Sequence, residues 1–177
     1  MSDVTLNTAS GSITLTPTNS SGNTVLTLPA QTGTVMVNGP AFSAYQSVGQ
    51  TIAVNSYTKV SFQTEEFDTN SNYDNATNYR FTPTVAGYYQ INSSLSFNSP
   101  VAQVWIGVYK NGVIYKRGYM SGPVTSATYL TTVNALVYCN GSTDYLEIYC
   151  LQSSAASQTT GTGIELTYFQ AFLARSA

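Results

Sequence analysis

"NYRFTPTVAGYYQINSSLSFN", residues 78 to 98, is the stretch on which the fold turns. From residue 88 it alternates: Tyr89, Ile91, Leu95 and Phe97 share one parity, while Tyr88, Gln90, Asn92, Ser94, Ser96 and Asn98 share the other. A period of two marks a β-strand with one apolar side and one polar side. The stretch carries no catalytic-looking residue. It reads as a core hairpin of a β-sandwich, in which Phe81 and Val85 lead into a turn at Gly87 and the apolar parity fills the core.

Outward from it the pattern stays all β. Strands are predicted near residues 41–46, 57–63, 79–85, 88–98, 102–110, 113–120, 129–139, 144–152 and 164–174, and no helical period competes. Turn signals separate them: Ala86-Gly87, Asn98-Ser99-Pro100, Asn111-Gly112, Ser121-Gly122-Pro123 and the run from Asn140 to Asp144. Asn-Gly supplies the two positive φ angles that a two-residue hairpin requires, so Asn111-Gly112 is the sharpest of these. Short strands at this spacing mean a sandwich or barrel.

Two strands are apolar on both sides. In 164–174, Phe169, Ala171 and Leu173 oppose Ile164, Leu166, Tyr168 and Phe172; in 129–139, Val133, Ala135, Val137 and Cys139 oppose Leu130, Leu136 and Tyr138. A two-layer sandwich buries only one face of each sheet, so the second apolar faces must meet something else. The simplest partner is another copy of the chain.

Composition excludes several classes. Of 177 residues 42% are hydrophobic and only 8% charged, against about a quarter charged in ordinary domains. Disordered chains are charge-rich and aromatic-poor; this chain has 14 Tyr and is the opposite. Six Lys and Arg are scattered over a net charge of −2, so no basic stripe exists for nucleic acid. No apolar run is long enough to span a membrane, and the first ten residues lack the basic and apolar regions of a secretory signal. A hairpin turning at residues 140–143 would set Cys139 and Cys150 out of register, so they read as two buried free thiols.

Between Asp3 and Lys59 there is no charge at all. Residues 1–39 are rich in Thr and Ser and contain the brief alternations "ITLT", "VLTL" and "TVMV". Strands this short bury too little to stand alone. The segment is either a flexible tail or a shaft that gains strand partners from other copies, and the alternation favours the shaft.

"AFSA" at 41–44, "NYDNATNYRFTPTVAGYYQI" at 72–91, "VWIGVYKNG" at 104–112 and "YFQAFLA" at 168–174 resemble, in order and spacing, the globular head of complement C1q. The resemblance covers residues 41–177. It implies the ten-strand jelly roll shared with the tumour-necrosis-factor superfamily, assembled as a homotrimer, with Phe81, Gly87, Tyr89, Val104, Ile106, Val108, Asn111, Gly112, Phe169 and Leu173 as fold residues. The collagen-like stalk of many such heads is replaced by the Thr-rich segment. Within that segment "VLTLPAQTGTVM", residues 25–36, resembles a phrase of bacteriophage tail-fibre and other virion proteins.

Together the two resemblances imply a non-enzymatic virion protein, a tail-fibre or tail-tip head that attaches to the host surface. Residues 1–39 would join it to other virion proteins, and its ligand would be a surface glycan or protein. A purely structural virion role, or a polysaccharide-degrading tail protein, are the rivals. Without His the commonest general base is missing. Glu65, Glu66 and Asp68 read as a solvated loop rather than a glycosidase pair, and with Asp74 they are a weak calcium set, so no cofactor is assigned.

Binding residues are sought elsewhere. Connections near 98–101, 121–128 and 152–163 should lie at the end away from Ala41, and the last is long, small and uncharged, suiting Ser153, Ser154, Gln158, Thr159 and Thr160 to ligand contact. Trp105 and Tyr109 lie opposite Val104, Ile106 and Val108, hence outward, as a subunit contact or as a stacking platform.

Overall fold

The structure is a computed structural model and describes residues 4–8, 11–15, 39–121 and 129–177. The chain divides into two compact units, Met1–Thr34 and Val35–Ala177. In the first, β1 (Val4–Thr8) pairs antiparallel with β2 (Gly11–Leu15), from Val4↔Leu15 to Thr8↔Gly11. β2 takes up most of "ITLT". The alternations "VLTL" and "TVMV", and the virion-like phrase, lie outside the described residues, as does the connection at 122–128.

The second unit begins with short strands: β3 (Ala41–Tyr45), β4 (Thr51–Ile52), β5 (Thr58–Lys59), β6 (Thr64–Asp68), β7 (Tyr73–Asp74) and β8 (Arg80–Phe81). Longer ones follow: β9 (Ala86–Phe97), β10 (Gln103–Lys110), β11 (Val113–Ser121), β12 (Tyr129–Asn140) and β13 (Leu146–Gln152). The brief β14 (Gln158–Thr159) and then β15 (Tyr168–Ser176) complete the chain. A five-stranded antiparallel sheet in the order β12-β9-β15-β3-β6 faces a sheet in the order β11-β10-β13-β8-β7, with β5 also on β13. β14 pairs separately with β4.

Between the sheets lies one core. Phe42 stacks on Tyr73 and Phe81 with ring centres 4.7 and 4.6 Å apart, and meets Phe169 edge-on at 4.8 Å. Tyr89, Ile91, Leu95, Val104, Ile106, Val108, Val137 and Ile148 extend this cluster, all without exposed surface. Alternation explains the outcome: each long strand sends one parity inward. Asn111 (φ 54°) and Gly112 (φ 76°) form the expected hairpin turn between β10 and β11. Both cysteines are free and buried, and burial pushes the Cys139 thiol up to about 11 and that of Cys150 to about 12.

Several sequence expectations are corrected. Residues 78–98 are not a hairpin: β8 belongs to one sheet and β9 to the other, and the chain crosses between them at residues 82–85. Gly87 lies inside β9 rather than in a turn. It is glycine because a Cβ there would come within 2.5 Å of the Arg175 carbonyl oxygen, where β15 bulges against β9. Val85 is exposed rather than part of the core. The connection from Asn140 likewise crosses sheets, since β12 pairs with β9 and β13 with β10. The last strand starts at Tyr168, leaving Ile164 in a preceding turn.

The predicted strands 57–63 and 79–85 shrink to two-residue ladders, yet Val60, Phe62 and Phe81 remain fully buried. Ser94 and Ser96, on the polar parity of β9, are sealed beneath residues 161–167. Ser94 Oγ donates to Leu166 O at 2.9 Å, and Ser96 N donates to Thr167 Oγ1 at 3.2 Å. Glu65, Glu66 and Asp68 sit on β6, at the sheet's edge, rather than in a loop. Charges suit an edge because they discourage further strand pairing.

Candidate interaction surfaces

The outer face of the five-stranded sheet is built by the second parity of its strands. Register sets Leu136, Gln90 and Phe172 side by side across β12, β9 and β15. Leu136 is 54% and Phe172 48% exposed, and Leu130 is equally open on β12. Tyr138 opposes Tyr88 with ring centres 5.5 Å apart, and a shallow depression of about 210 Å³ beside them is lined by Tyr88, Leu136, Ala174 and Arg175. The next row is amide and hydroxyl: Asn134, Asn92, Gln170 and Ser43. Across β12, β9, β15 and β3 the single charged residue is Arg175. Large apolar groups beside uncharged hydrogen-bonding ones, with a lone arginine, is the composition of an interface core.

The outer face of the other sheet is different. Trp105 and Tyr109 do point outward, as their parity requires. Trp105 pairs with Tyr119 on β11, ring centres 4.9 Å apart, and Tyr109 stacks on Tyr149 of β13 at 4.2 Å. Between them buried Gly107 stands opposite Arg117 and Tyr149. A cleft of about 340 Å³ is lined by Tyr57, Tyr109, Ile114, Tyr115, Lys116 and Arg117. Burial, reinforced by Tyr57 and Tyr149, raises the Tyr109 hydroxyl above its ordinary range. Lys59 reaches across this face to Glu147 at 2.6 Å. Parity found Trp105 and Tyr109; their partners depend on register, which the sequence does not print.

The end of the head away from Ala41 gathers residues 98–102 with 153–163, as the strand directions imply. Asn98 N donates to Thr159 O at 3.0 Å, Ser153 N to Gln103 O at 3.1 Å and Ala102 N to Ser154 Oγ at 3.2 Å. Pro100, Val101, Ala102, Ser154, Ala155, Ala156 and Gln158 line a cleft of about 330 Å³ there. The 152–163 connection is nevertheless pinned. Thr160 is fully buried: its hydroxyl donates to Gln46 Oε1 and accepts from Gln50 N at 2.8 Å, which removes it from any ligand surface. Gln152, equally buried, donates to Ile52 O at 3.1 Å and accepts from Ser154 N at 2.6 Å. Ser153, Ser154 and Gln158 are half-buried and Thr159 is exposed.

Glu66, Asp68, Asp74, Asp144 and Glu147 are spent on structure. Asp74 caps its own turn, and hydrogen bonds led by the Thr77 N–H hold its carboxyl down at about 2. Burial opposes ionisation of Asp144, but the Asn111 amide, the Lys110 ammonium at 2.9 Å and the Asn140 N–H outweigh it and keep the carboxyl below its usual range. Asp68 accepts from Tyr73 N at 2.6 Å, and Glu66 from Ser43 Oγ at 2.6 Å. Among the described residues no three His, Cys, Asp or Glu side chains stand close enough to hold a metal ion. Every buried side-chain polar atom among them has a hydrogen-bond partner.

No family model and no curated protein matches the chain. The head is similar in fold to solved structures of the tumour-necrosis-factor family. Crystal structures of murine APRIL at pH 5.0 and pH 8.0 each share 11% identity over 77% of this chain and 99% of that one, with TM-scores of 0.60 and 0.61. Eiger TNF from S. frugiperda shares 10% identity over 78% and 93%, with a TM-score of 0.58. The head is thus an all-β, TNF-like jelly roll.

Proposed function

We propose that the protein is a non-enzymatic virion component whose residues 41–177 form a homotrimeric head that attaches to the host cell surface, and whose residues 1–39 join it to the particle. The observation that carries this reading is the outer face of the five-stranded sheet, where exposed Leu130, Leu136 and Phe172 adjoin uncharged amides and hydroxyls and Arg175 is the single charge from β12 to β3. Left in water, such a face is an aggregation hazard; closed on itself by a threefold axis it becomes a core. The virion-like phrase at 25–36 supplies the setting. Attachment then works by multivalency, three modest sites acting through high effective concentration.

Addition of purified protein to host cells before the particles tests it. The expected result is saturable loss of adsorption, with a Leu136→Glu protein, unable to assemble, competing at least about a hundredfold more weakly. Unimpaired adsorption by particles that lack the protein but fall apart more readily would turn the reading to a purely structural role. Release of sugar from host polysaccharide would turn it to a degrading enzyme.

A further inference from the structure

The outer face of the six-stranded sheet combines two features that the fold does not need. One is the aromatic strip. Trp105 and Tyr109 are four residues apart on β10, about 13 Å along the strand, each backed by a ring from a neighbouring strand, with Gly107 between them. A Cβ on Gly107 would lie 3.3 Å from the Tyr109 ring and 3.5 Å from Ile114 Cδ1, so the absence of a side chain lets Tyr109 and Ile114 settle over the strand beside the cleft. The other is charge. Lys59 pairs with Glu147 and Lys110 with Asp144, and Arg80 lies over the Tyr145 ring. Lys116 lies over the Tyr115 ring, whereas Arg117, its neighbour on β11, has no carboxylate within ion-pair distance among the described residues. Arg117 opposes Gly107 and lines the cleft beside Tyr109, on the same face. In a chain of net charge −2, an uncompensated cation beside an aromatic cleft asks for an anion.

We propose that this aromatic face and the cleft beside Tyr109 bind an acidic sugar chain, with pyranose faces stacked on Trp105 and Tyr109 and a carboxylate or sulfate paired with Arg117. Sugar rings carry apolar C–H faces bordered by hydroxyls, which match flat aromatic faces with phenol groups at their margins. A guanidinium binds a carboxylate or sulfate by paired N–H donors. The assignment rests on the attachment reading and names its ligand class; it places the site on the sheet opposite the assembly face.

Trp105 is the only tryptophan of the chain, so its fluorescence reports on this face. The full chain is titrated with tetragalacturonate, sialyllactose and a sulfated galactan oligomer, with maltotetraose as neutral control and a poly-glutamate peptide as acidic control. At least one acidic saccharide should shift the emission saturably while maltotetraose does not, and Arg117→Gln should weaken that binding about tenfold. Tyr109→Ala should weaken it too, with solution mass unchanged. Leu136→Glu should leave the per-chain dissociation constant as it was, so loss of assembly and loss of this site read out separately. No shift with any saccharide, equal binding of maltotetraose, indifference to Arg117→Gln, or tighter binding of poly-glutamate would each overturn the assignment.

Discussion

The outer faces of the two sheets share one core and one period, yet they dispose of charge in opposite ways. On the five-stranded sheet, Leu136, Phe172, Tyr88 and Tyr138 adjoin amides and hydroxyls, and the only ion in four strands is Arg175. On the other sheet, aromatic pairs are interleaved with Lys59, Glu147 and Arg117. Desolvating an ion is costly, so a face meant to be covered by protein sheds ions, whereas one meant to hold a small charged ligand keeps a few in reach. Where a sandwich places its charges is therefore a guide to which side is covered.

The largest expected effect destroys both faces at once. Phe169→Ala removes a ring that meets Phe42, Phe62 and Tyr73, and should cost about 3–5 kcal/mol by denaturant unfolding. Overfilling comes next. A Cβ on Gly118 would lie 2.1 Å from the Thr132 carbonyl oxygen, where β11 approaches β12, so Gly118→Ala should cost about 1–3 kcal/mol and lower the melting temperature.

The faces are separated by a smaller perturbation. Leu136→Glu should reduce the solution mass to one chain with the fold kept, since Leu136 is half exposed; Tyr109→Ala should leave the mass alone. Acid sharpens the account of the turns that support both sheets. Asp74 and Asp144 have carboxyls lower in the folded than in the unfolded chain, so their contribution is full above about pH 4 and fades as pH falls toward about 2. The melting temperature should fall across that window, and less steeply in Asp74→Asn. Smallest is Asn111→Ala, which loses the bonds to Asp144 and Tyr145 at 2.7 and 2.9 Å and the tolerance for positive φ, at about 1–2 kcal/mol in denaturant unfolding.

Much of this was legible because period two fixes faces. On β12 the buried Val133, Ala135, Val137 and Cys139 and the exposed Leu130, Leu136 and Tyr138 follow from parity alone. Partners are another matter. Phe81 and Tyr89 read as one hairpin but lie in opposite sheets, because nothing local distinguishes a turn from a crossover. Gly87 owes its identity to Arg175, far along the chain. The two-residue ladders at β5 and β8 are held by long-range burial rather than by propensity, and β6 was hidden by its three carboxylates. At the candidate site the same division holds. Trp105 and Tyr109 were visible, while Tyr149 and Arg117 joined them only through the register of β10 with β13 and β11. Thr160 read as a surface hydroxyl until Gln46 and Gln50 enclosed it.

The solution mass of the full chain by light scattering, beside that of its Leu136→Glu variant, decides whether the five-stranded sheet is the assembly face. Three chain masses for the first and one for the second is the expected result, and would place assembly on the five-stranded sheet. A single chain mass for the unaltered protein, or three for both, would contradict it.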